Sequence, residues 1–65
     1  MSQKKAQWNS KRTYMIAQYG TEKMLKAYRL NRVDGEGETA IADYTGIPLR
    51  QVNAAIRVGE ELIAQ

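Results

Sequence analysis

Sixty-five residues with 43% hydrophobic content make a single small domain, with a core but no room for a deep pocket. The absence of Cys and His excludes disulfides, thiolate or imidazole metal sites and the commonest general base. The net charge of +3 is unevenly laid out: residues 1–32 hold eight cations against Glu22 alone, a net +7, whereas residues 33–65 hold Arg50 and Arg57 against six acids, a net −4.

Residues 1–9 are polar and basic and read as a loose N-terminal arm, with the helical domain occupying 10–65. No apolar run there makes a leader or a membrane span, so the expected setting is soluble and cytoplasmic. From Ser10 to Tyr19, Met15, Ile16 and Tyr19 fall at helical spacing, although Tyr14 to Ile16 would also suit a short strand. Thr21 suits an N-cap, with Glu22 in the first turn. The helix predicted over 21–32 gathers Met24, Leu25, Ala27 and Tyr28 on one face and Lys23, Lys26, Arg29 and Arg32 on the other; Leu30 alone falls on the basic side. Segregated positive charge of this kind suits nucleic acid, and a solvated surface is the other reading.

Asp34-Gly35-Glu36-Gly37-Glu38 interrupts the helix. Counted from Asp34 as a calcium loop, the sixth and twelfth positions are Thr39 and Thr45 where Gly and Glu are needed, so the segment reads as a flexible acidic connection. A short helix follows over 38–45 and stops at Gly46. Pro48 then suits the start of a second helix, predicted over 48–58 or beyond. Leu49, Val52, Ala55 and Ile56 form its inward face, and Tyr44 suits either the core, the preferred reading, or a phosphate contact. Two helices meeting at a glycine must approach closely, and Ala42 supplies the small residue that allows it.

Residues 38–57 resemble the helix-turn-helix DNA-binding motif. The small residue falls at Ala42 and the glycine at Gly46, with Ile41, Ile47, Val52 and Ala55 at apolar positions of the pattern. Thr45 departs from it, standing where a larger apolar residue is usual. Thr45-Gly46-Ile47-Pro48 followed by Arg50 and Val52 is similar to many bacterial, phage and plasmid regulators. The resemblance implies an all-α fold, here a small three- to four-helix bundle. No β-hairpin wing is expected after Arg57.

On the second helix Arg50, Asn53, Ala54 and Arg57 are spaced i, i+3, i+4 and i+7 and share one stripe. Arginine pairs with guanine O6 and N7, asparagine with adenine N6 and N7, and an alanine methyl can meet a thymine methyl. Gln51, pointing sideways, and Thr39, at the start of the first helix of the pair, are candidates for phosphate; Thr39 also suits an N-cap. Sequence-specific binding of double-stranded DNA is therefore the expected function, with a small helical protein-binding adaptor or inhibitor of the phage type as the alternative. No catalytic constellation is present, and neither an enzyme, a cofactor nor a small-molecule substrate is expected. Three base-reading side chains are few for a specific site, so a homodimer or a protein partner is expected. Val58, Leu62 and Ile63 form an apolar stripe that packs either on a second copy or over Met24, Leu25 and Tyr28. Glu60 and Glu61 would keep that end away from phosphates.

Overall fold

Gly20, the 33–37 segment and the 46–48 turn are the breaks in this chain. In the structure, a computed structural model that describes residues 2–65 and side chains from residue 5 onward, they separate four helices. These are α1 (Ser2–Tyr19), α2 (Thr21–Arg32), α3 (Glu38–Thr45) and α4 (Leu49–Ala64). The fold is all-α, with no strand among the described residues.

Helix α2 packs most extensively on α4, and α3 rests on both. Met24 and Ala27 of α2, Ile41 of α3, Ile47 of the turn, and Val52, Ala55, Ile56 and Val58 of α4 are buried together, with Met15 added from α1. Helix α4 continues through Gly59, which lies against α2. A Cβ built on Gly59 would stand 2.6 Å from the Tyr28 Cβ and overlap the Met24 carbonyl oxygen. Only a residue without a side chain lets the two backbones approach so closely.

Several expectations need correction. Helix α1 begins at Ser2, so the arm expected over 1–9 is helical wherever it is described; Met1 and the side chains of Ser2, Gln3 and Lys4 lie outside the described residues. Helix α1 is tied by Trp8 and Arg12 to Glu61 of α4, contacts some fifty residues away along the chain that no local pattern announces. Thr21 makes no side-chain cap, and Gly20 holds the N-cap position of α2. The acidic connection is pinned to the end of α2: Glu36 N donates to Leu30 O at 2.9 Å and Asn31 Nδ2 to Glu36 O at 3.2 Å.

Tyr44 and Leu49 are exposed rather than core. Ile41 and Thr45, one turn apart, take the inward line of α3, and Leu49 is the exposed first residue of α4. Leu30 is half-buried against the core despite its place on the basic side. Val58 is fully buried, and Leu62 packs on the same core, so most of the stripe considered for a second copy serves the domain itself; Ile63 stays exposed.

Candidate functional site

The turn from α3 into α4 is built locally. Gly46 adopts φ +79°, a left-handed conformation that costs a β-carbon-bearing residue steric strain, and its N–H donates to Ala42 O at 2.8 Å. Thr45 is buried, and its hydroxyl donates to Ile41 O at 2.7 Å while accepting from Ile47 N at 3.2 Å. A larger apolar side chain there could not serve both backbone groups, which explains this residue's departure from the helix-turn-helix pattern. Ala42 packs half-buried against the core, as its small size suggested.

Beyond this turn α4 divides sharply. Val52, Ala55, Ile56, Val58 and Gly59 are buried, whereas Arg50, Asn53 and Arg57 are exposed along one line. Seven residues separate Arg50 from Arg57, a rise of about 10.5 Å along the axis. Ala54 is half-buried against the core, so its methyl stands at the margin of this line rather than on it. Gln51, expected to reach toward phosphate, is half-buried and turned toward α1, where its Oε1 accepts from the Tyr19 hydroxyl. Thr39 is exposed in the first turn of α3, but Gly37 is the N-cap residue and no side chain caps that end.

The far end of the exposed line carries a cluster that the sequence pattern does not announce. The guanidinium carbon of Arg57 lies 3.9 Å from the centre of the Trp8 ring, and its Nε is 3.7 Å from Glu61 Oε2. Trp8 Nε1 donates to that same oxygen at 2.8 Å, and Arg12 Nη1 donates to Glu61 Oε1 at 2.9 Å. The Arg12 hydrogen bond is the largest influence on the Glu61 carboxyl. With the Trp8 N–H and the charges of Arg12 and Arg57, it outweighs the opposing effect of burial and holds the pKa below the ordinary 4.5. Far from repelling an anion as a free charge, Glu61 is surrounded by cations.

Lys23 adds a cation at the near end. Its Nζ lies 3.8 Å from where a Cβ would stand on Gly46, beside the turn that leads into α4. This proximity comes from the packing of α2 on α3 and α4, so spacing along the chain gives no sign of it. Lys26 and Arg29 are exposed on the outer face of α2 and, with Glu22 and Leu25, line a shallow depression confined to that helix.

Comparison with protein-family models, curated proteins and solved structures finds no match to this chain. An exposed line of two arginines and an asparagine, on a helix whose other face is buried, can present several donors to a partner of complementary shape. Nucleic-acid bases and phosphates offer such acceptors. No helix among the described residues is long and apolar enough to cross a membrane.

Proposed function

We propose that this chain is a sequence-specific double-stranded DNA-binding protein, a cytoplasmic transcriptional regulator of the bacterial, phage or plasmid kind, which presents α4 to the major groove. The observation that carries this reading is the exposure of Arg50, Asn53 and Arg57 along one line of a helix whose opposite face is consumed by the core. A solvated face on a small protein is usually laced with acid–base pairs, yet Arg50 and Asn53 have no acidic neighbour one turn away on α4. In this reading Arg50, Asn53 and Arg57 read bases, Ala54 flanks them, and Lys23 and Thr39 meet phosphates on either side of the turn. Gln51 supports α4 through Tyr19.

The line spans about three base pairs, given a rise of roughly 10.5 Å and a base-pair step of about 3.4 Å. At ~1–3 kcal/mol of discrimination for each good contact, one such line falls short of the ~4–10 kcal/mol typical of specific over non-specific binding. Two copies, or one copy with a partner protein, therefore occupy the complete site. Sedimentation of the DNA complex tests this, and a single copy holding full specificity on a short half-site would contradict it.

A protein-binding adaptor is the second reading. It draws on Tyr44 and Leu49, exposed at the adjoining ends of α3 and α4. Duplex binding measured across a range of salt concentrations separates the two. Counterion release makes log affinity fall with log salt by about 0.9 for each phosphate neutralised. A slope equivalent to several phosphates supports the DNA reading; no measurable affinity at low salt leaves the adaptor.

A further inference from the structure

The cluster at the end of the exposed line distinguishes Arg57 from Arg50. Arg50 makes no ion pair, side-chain hydrogen bond or aromatic stack among the described residues. Arg57 makes two such contacts at once, lying over the Trp8 ring with its Nε beside Glu61, and still keeps 59% of its side chain exposed. The two contacts are mechanically linked. Glu61 Oε2 accepts the Trp8 Nε1–H and also faces Arg57 Nε, so one carboxylate oxygen sets both the ring and the guanidinium. Arg12 holds the other oxygen and prevents the carboxylate from turning.

We infer that Trp8 and Glu61 form a bracket that fixes the Arg57 guanidinium for base readout, making α1 a positioning element of the recognition face. This inference rests on the DNA-binding reading. A free arginine must give up rotamer freedom when it grips a base edge, and an arginine already held has less to lose. The flat guanidinium stacks on an aromatic face, and the carboxylate engages only its Nε edge. The Nη groups keep the donors needed for the fork-shaped contact to guanine. Bracketing therefore restricts the side chain without using up the atoms that read. Trp8 and Glu61 act through Arg57 and need not touch DNA.

The absence of any such bracket at Arg50 supplies an internal control. Binding is measured with the full chain on its selected duplex and on every single-base substitution of that duplex. Arg57→Ala and Arg50→Ala first identify the base pair that each arginine reads, each losing about fivefold or more in discrimination at its own pair. Trp8→Leu and Glu61→Gln are then expected to lose about threefold or more at the Arg57 pair and to leave the Arg50 pair unchanged. Trp8→Phe, which retains a ring face, restores most of that loss. Circular dichroism checks that each variant stays helical, and Glu61→Gln, which preserves shape, decides the matter if Trp8→Leu does not fold. Losses of equal size at both pairs, or none at the Arg57 pair, overturn the inference and leave the DNA reading standing. Wild-type protein that selects no duplex sequence overturns both.

Discussion

Replacing Gly59 with alanine sets two sizeable effects against each other. In a helix interior the exchange gains ~0.5–1 kcal/mol, because glycine loses the most freedom on folding. Against that, the added carbon would sit 2.6 Å from Tyr28 Cβ and collide with the Met24 carbonyl oxygen. Carbon atoms rest at ~3.5–4.0 Å, so α2 and α4 must part by roughly 1 Å, and gaps of that size forfeit a quarter to a half of a contact's dispersion energy. The oxygen belongs to the α2 backbone and cannot rotate aside. Overpacking of this kind costs ~1–3 kcal/mol, and a rigid backbone obstacle places Gly59→Ala at the upper end. The expected net loss is about 2 kcal/mol, a large share of the ~3–10 kcal/mol available to a chain of this length. Thermal denaturation followed by circular dichroism should show the midpoint falling by roughly 10 °C. An unchanged or raised midpoint, which helix propensity alone would give, would refute the close approach of α2 and α4.

Ala42→Leu should lower stability by ~1–3 kcal/mol, read as a lower melting midpoint, because Ala42 packs against the core at the junction of α3 and α4. Thr45→Val keeps the volume but strands the buried Ile47 N–H, a loss of ~1–3 kcal/mol that denaturant titration would register. The Glu61 carboxyl, held below 4.5 in the folded chain, contributes stability that is fully present above that value and lost as pH falls through the folded pKa. The stability difference between wild type and Glu61→Gln should accordingly hold steady at neutral pH and shrink as the pH falls below about 4.5. A difference independent of pH would show that the ion cluster adds nothing to folding.

Where neighbouring residues decide the structure, the sequence was readable. Met24 and Ala27, Ile41, and Val52 with Ala55 and Ile56 gave the inward faces of α2, α3 and α4, and Gly46 gave the turn. The exposed line of Arg50, Asn53 and Arg57 followed from the same periodicity. What depends on distant partners was not readable. The polar first half of α1 offers little apolar periodicity, and Trp8 and Arg12 find Glu61 only after α1 has docked along α4. Gly59 lies against Met24 and Tyr28 of α2, a contact that depends on a distant part of the chain. The small pair Ala55 and Gly59, four residues apart on one face, was the available sign of that approach. Spacing placed Ala54 on the exposed stripe and Gln51 at its side, but Ala54 packs half-buried against the core and Gln51 is half-buried and bonded to Tyr19 of α1.

The central claim is that the exposed edge of α4 reads bases rather than merely attracting a polyanion. Selection from a random duplex pool, followed by anisotropy titrations of Arg50→Ala and Lys26→Ala on the selected and on a scrambled duplex, tests it most directly. Arg50→Ala should lose ~1–3 kcal/mol on the selected duplex and far less on the scrambled one, with preference relaxed at a single base pair. Lys26, exposed on the outer face of α2, should affect both duplexes alike or neither. Equal losses for Arg50→Ala on the two duplexes would contradict base readout by α4.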